Sequence, residues 1–277
     1  MMEAILALLF GLLIGSFLNV CIYRWPRDLS VVRPRSHCPA CGKTITWHDN
    51  IPLASYAILR GRCRHCTERI PLRYPAVELL TGLLFFYFVW TLGPTVAAFK
   101  MCVLSALLVG LMFTDYEALI LPDELTLGGT AAGLIFAIFT PIYRPESFAP
   151  ELIVPALLQI GTTGRMASLV EAVFGAALPA LFLWFVRWFY EKIRHREGLG
   201  LGDIKLIAMV GSFLGLSGAL LTLIVGSLMG SIIGYGYIRA TGKDPATYEL
   251  PMGTFLGVAA LVIAMTAKVV LPWYGNL

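Results

Sequence analysis

The sequence predicts an all-α polytopic membrane protein of about eight transmembrane helices, with a small polar insert between the first two. Three observations carry this. First, 58% of the 277 residues are hydrophobic and only 14% are charged, against about half and a quarter in a soluble domain. Second, apolar runs of the roughly 17–25 residues needed to span a bilayer recur along the chain. Third, Lys and Arg are unevenly placed. With the loop after the first span taken as cytoplasmic, 17 fall on inside segments (24–73, 187–205 and 239–243), and only Lys100, Arg144, Arg165 and Lys268 fall elsewhere. That asymmetry sets both termini outside. It also accounts for the net charge of +4 and leaves no reason to invoke a nucleic-acid partner.

The spans are read at 3–23, 75–92, 96–114, 124–143, 168–190, 203–217, 219–238 and 253–273. The sixth is short and is open to a second reading, as one arm of a tight hairpin with the seventh. The first run differs from a cleaved signal peptide: Glu3 makes its leading region acidic, no small-x-small site follows, and the basic cluster comes after it. It is expected to be a retained anchor. The expected organisation is therefore a first transmembrane helix (1–23), an insert (24–74) and a seven-helix membrane domain (75–277). Residues 144–168 form a long external loop whose apolar stretch, ELIVPALLQIG, is expected to lie at the interface.

The insert is rich in Arg and Pro and holds four of the six cysteines. Cys38-x-x-Cys41 and Cys63-x-x-Cys66 are separated by 21 residues, a spacing that lets four thiolates converge tetrahedrally on one zinc. A cytoplasmic loop sits in a reducing compartment, where disulfides are disfavoured. Four thiolates close the coordination shell, which predicts a structural zinc that lets about 50 residues with few apolar groups fold. Gly42 suits the turn of the first knuckle, and Thr67 stands at the matching place in the second. Cys21 and Cys102 lie within spans and read as core residues.

Acids at the membrane edge are the remaining chemistry. In FTDYEALILPDELT, Asp115 ends the third span with no Lys or Arg within ten residues on either side. Asp123 follows Pro122 at the start of the next span and reads as a helix cap; Glu117 and Glu124 read as solvated. The stretch GLGLGDIK puts Asp203 at the same membrane face. A phosphate-cradling loop would need a preceding strand and a soluble α/β unit, and neither is present. Two readings stay open: a flexible linker with Asp203 as a cap, or glycines packed closely so that Asp203 points inward. Lys205 is expected to turn away from Asp203, toward headgroups or a substrate carboxylate. Two carboxylates at one level of a bundle share a proton; the ionised one then draws a proton from water while the other polarises a peptide carbonyl. That is aspartyl peptidase chemistry.

Together, GSFLNVCIYRWPR, the paired CxxC knuckles, DNIPLASYAILRGRC, RYPAVELLTG, DYEALILPDELT and GLGLGDIKLIAMVG resemble the bifunctional prepilin peptidases, the GxGD-type leader peptidase/N-methyltransferases of type IV pilus and type II secretion systems. The resemblance covers nearly the whole chain in order. It implies catalytic roles for Asp115 and Asp203, and zinc ligation by Cys38, Cys41, Cys63 and Cys66. It also implies cleavage of prepilin or pseudopilin leaders at the cytoplasmic face of the bacterial inner membrane, and methylation of the new N-terminus by S-adenosylmethionine. No Rossmann-type glycine loop marks a methyl-donor site, so Asp49, Asn50, Arg60 and Arg62 of the insert are the polar candidates. Two further departures are the 144–168 loop and ELPMGTFLG, with Met252 and Thr254 where Phe and Pro are common. A peptidase without methyltransferase activity, or a zinc-bearing scaffold or transporter, are the rival readings. The implied substrate has a basic leader and an apolar segment long enough to cross the bilayer. Gly226, Gly230, Gly234 and Gly236 are expected to let helices pack closely around it.

Overall fold

The computed structural model describes residues 1–140, 154, 165–194, 199–242 and 250–269. Its helices are α1 (Met2–Arg24), the short α2 (Ala54–Ile58), α3 (Arg73–Leu92), α4 (Val96–Ala118), α5 (Asp123–Phe139), α6 (Arg165–Arg194), α7 (Leu201–Thr241) and α8 (Met252–Val269). The chain divides into two compact units, residues 1–110 and 111–277. Among the described residues, five helices (α1, α3, α4, α6 and α7) are long and apolar enough to cross a membrane, while α5 and the apolar part of α8 are shorter. The expected loop segment ELIVPALLQIG lies outside the described residues apart from Val154. Residues 165–168, expected in that loop, open α6 instead.

In the first unit, α1 and α3 approach through small residues. A Cβ on Gly11 would lie 2.8 Å from the Gly82 backbone, and one on Gly15 would lie 2.7 Å from the Glu78 backbone. In a bilayer, van der Waals packing of this kind replaces the hydrophobic drive that holds soluble helices together. The buried Asn19 amide donates to the Tyr74 carbonyl at 3.0 Å. Glu78, also buried, accepts the Leu53 N–H at 2.9 Å and so ties the insert to α3. Arg24 donates to the carbonyls of Ser30 and Pro34, each at 2.7 Å, which folds the chain back on itself after α1.

The expected count of eight spans is corrected, since five described helices are long and apolar enough to cross a membrane. In the second unit the segments read as 203–217 and 219–238 are two helices of α7 joined across a kink at Gly215 (φ 74°, ψ −175°), three residues earlier than expected. The break costs one residue and no polar loop because its loose N–H is met inside the protein: Glu171 of α6, 1% exposed, accepts the Leu216 N–H at 3.1 Å through one oxygen and the Val154 N–H at 3.1 Å through the other. Gly175 of α6 packs directly on the break, where a Cβ would lie 2.6 Å from the Gly215 carbonyl carbon. On the later half of α7, Gly226, Gly230 and Gly234 pack on Leu256, Met252 and Leu250, whereas Gly236 faces open space.

The φ/ψ of Gly215 belongs to a region essentially restricted to glycine, and an added Cβ would meet Glu171 at 3.0 Å. Gly215→Ala is therefore expected to destabilise the protein by about 1–3 kcal/mol. Glu171→Ala, which strands a buried N–H, is expected to cost a similar amount. Glu171→Gln retains a carbonyl acceptor for Leu216 and should lose less. Thermal unfolding in detergent ranks the three variants.

Candidate active site

Each CxxC segment builds the same knuckle. The Cys38 N–H donates to the Lys43 carbonyl and the Gly42 N–H returns to the Cys38 carbonyl, both at 2.9 Å; Cys63 pairs with Glu68 and Thr67 in the same way, at 2.8 and 3.1 Å. The turn needs a left-handed residue in both copies, supplied by Gly42 (φ 70°) and by Thr67 (φ 60°). Isolated antiparallel bridges, His37 with Thr44 and Arg62 with Arg69, close the two knuckles. The four sulfurs of Cys38, Cys41, Cys63 and Cys66 lie within 4.8 Å of one another, and the Cys38 and Cys66 sulfurs are 3.8 Å apart. Zinc–sulfur bonds of about 2.3 Å at tetrahedral angles put sulfurs about 3.8 Å apart, so the donor set fits a zinc ion. The N–H groups of His65 and Cys66, aimed at the Cys63 sulfur, hold that thiol down to about 7, where a thiolate forms near neutral pH.

The polar residues proposed for adenosylmethionine have different surroundings among the described residues. Asp49 is engaged by Arg64 in a bidentate pair (2.8 and 2.5 Å). That guanidinium keeps its carboxylate below the usual range, with Thr46 adding a weaker donor. Asn50 lines a groove of about 290 Å³ with Ser16, Arg24 and Ser36. Arg60 and Arg62 are exposed. No hydrogen bond among the described residues joins any two of the four, and no methyl-transfer step is derived from them.

The two edge acids lie in the second unit. Asp115, one turn before the end of α4, is only 5% exposed. Asp203 is the third residue of α7; the cap position is Gly200, so the reading of Asp203 as a helix cap does not hold. Its carboxylate turns back over Gly200, where a Cβ would sit 3.1 Å from Oδ2. Leu121, in the α4–α5 connection, sets this arrangement. A Cβ on Gly202 or on Gly253 would each lie 2.9 Å from the Leu121 side chain, so glycine at both places brings the starts of α7 and α8 onto the same leucine. Gly253 also lies against Asp115, 3.1 Å from its Cγ by the same construction.

Thr254, whose site role the sequence did not reveal beyond its being a departure, meets Asp115 directly. Its N–H donates to Asp115 Oδ2 at 2.6 Å, and its hydroxyl lies 3.0 Å from the same oxygen and 3.0 Å from the Met112 carbonyl. Two other expectations are corrected. Asp123 makes no cap and pairs with Lys205 at 2.6 Å. Lys205 is therefore engaged across α5 and α7, because the two helix starts face each other.

The family model described as "Bacterial Peptidase A24 N-terminal domain" matches residues 9–92, and "Type IV leader peptidase family" matches 102–235. The chain is similar to the prepilin leader peptidase/N-methyltransferase of Aeromonas hydrophila, 34% identical over 97% of this chain and 92% of the relative. It is likewise similar to that of Pseudomonas aeruginosa, 34% identical over 92% and 87%. A Myxococcus xanthus protein of the same name is 40% identical over 87% of this chain, which spans 64% of that relative's length. No solved structure matches.

Cys63→Ser is expected to lower bound zinc from one ion per chain to well below stoichiometric. Elemental analysis of the purified protein reads this directly, and wild-type protein without zinc would refute the site.

Proposed function

The chain belongs to the type IV leader peptidase family, and from that premise we propose that it is an integral-membrane aspartyl peptidase. It removes the basic leader of type IV prepilins or pseudopilins at the cytoplasmic face of the inner membrane, and N-methylates the exposed residue with S-adenosylmethionine. Residues 24–74 serve as the zinc-bearing cytoplasmic domain and 75–277 as the peptidase domain. The observation that carries the peptidase reading is that Leu121 packs both on Gly202, beside Asp203 at the start of α7, and on Gly253, which lies against the buried Asp115 near the end of α4.

Two such carboxylates share one proton. The ionised member takes a proton from water as the water oxygen bonds to the scissile carbonyl carbon, and the protonated member gives its proton to the carbonyl oxygen. The resulting diol collapses: the proton held by the first acid passes to the leaving nitrogen, the C–N bond breaks, and a diol hydroxyl returns its proton to the second acid. The site lies where two helices begin, at a membrane edge. There an extended substrate segment finds water, while its apolar part stays in lipid or among helices.

Asp115→Asn and Asp203→Asn are each expected to reduce leader cleavage by about 10²–10⁴-fold or more, to background, while membrane expression persists. Cys63→Ser is expected to lose methylation before cleavage. Mass spectrometry of a co-expressed prepilin reads both activities, as loss of the leader and gain of one methyl group. Full processing by either Asn variant would remove the dyad.

A further inference from the structure

We propose that Thr254 is a positioning residue that commits one oxygen of Asp115, Oδ2, to the start of α8, leaving Oδ1 as the working base and Asp203 as the carrier of the shared proton. This deepens the dyad reading above and rests on it.

Thr254 is the third residue of α8, so its N–H is among those that no preceding turn of the helix can satisfy. It is split between the Pro251 carbonyl at 3.2 Å and Asp115 Oδ2 at 2.6 Å. The hydroxyl has a single proton and two acceptors at 3.0 Å, the Met112 carbonyl and the same Oδ2. Both donors of Thr254 thus converge on one oxygen. Among the described residues, no donor reaches Oδ1 of Asp115, and none reaches the Asp203 carboxylate. Two donors on the Asp115 carboxylate favour its ionised form whichever oxygen would take a proton, whereas no side-chain or loop donor among the described residues does so for Asp203. Asp203 lies in the first turn of α7, whereas Asp115 lies in the last turn of α4 and against the start of α8; the two Thr254 donors are what single out Asp115 Oδ2.

The contrast with Glu171 sharpens the assignment. Glu171 is equally buried, but its two oxygens each accept one backbone N–H, leaving neither oxygen for chemistry. Among the described residues, Asp115 is anchored through one oxygen only. Such an anchor holds the carboxylate's rotation and leaves the second oxygen to face water and substrate, the arrangement a general base needs.

The test uses the full-length enzyme in detergent with a purified prepilin, measuring kcat and KM separately beside melting temperature. Thr254→Val keeps the N–H and removes the hydroxyl; it is expected to lower kcat by about tenfold, the loss of one hydrogen bond to a charged group, with KM within about twofold. Thr254→Ala carries the same expectation should the valine variant fail to accumulate. Thr254→Ser restores the hydroxyl and is expected to recover most of the lost turnover. A wild-type kcat in the hydroxyl-less variants, a loss confined to KM, or a serine variant as slow as valine each overturn the proposal. Asp203→Asn run in parallel separates the two levels: if it still cleaves, the dyad itself fails, whatever Thr254 does.

Discussion

A hydrogen-bonding group carried into a bilayer must find its partner within the protein, and three buried acids of this chain meet that demand in the same way. Glu78 accepts the N–H of Leu53 at the start of α2, Glu171 that of Leu216 where α7 resumes after Gly215, and Asp115 that of Thr254 at the start of α8. Each carboxylate caps a helix that begins elsewhere in the sequence, taking up N–H groups left over at helix starts. These contacts let α7 break without a polar loop and let α8 begin against α4. Asp115 differs from the other two in that, among the described residues, donors reach only one of its oxygens.

Glycine works alongside these acids. Gly202 and Gly253 are needed because Leu121 occupies the space their side chains would fill, and Gly200 because the Asp203 carboxylate folds over it. Gly200 and Gly202 of GLGLGD bring backbone close enough to the carboxylate and to Leu121 to fix where Asp203 stands. The close packing of α1 on α3 through Gly11, Gly15 and Gly82 applies the same rule in the first unit.

Much of this was legible from residues alone. The cysteine spacing marked the four-sulfur cluster, and Asp115 stood out because no basic residue lies near it in sequence. Apolar runs located the long helices. What stayed hidden depends on contacts between distant segments. Lys205 and Asp123 are 82 positions apart and Glu171 and Leu216 are 45 apart, so neither pair leaves a local signal. The kink in α7 falls at Gly215, three residues before the expected junction, where Glu171 accepts the Leu216 N–H. Glu171 carries a signal of its own in the sequence, an acid inside an apolar span. Thr254 showed only as an unusual residue, since both of its donors act on a carboxylate 139 positions away.

The Glu171 cap also bears on how the chain enters the membrane. Synthesis runs from the N-terminus, so α6 and its acid are made before the segment holding Leu216 leaves the ribosome. The acceptor is already present when the break in α7 arrives, and the loose N–H passes to it without a period facing lipid. For α6 the order is less forgiving: until Leu216 appears, Glu171 has one of its two backbone partners, the N–H of Val154 made before it. The order of the two segments along the gene therefore decides which of the two groups has to wait for its partner.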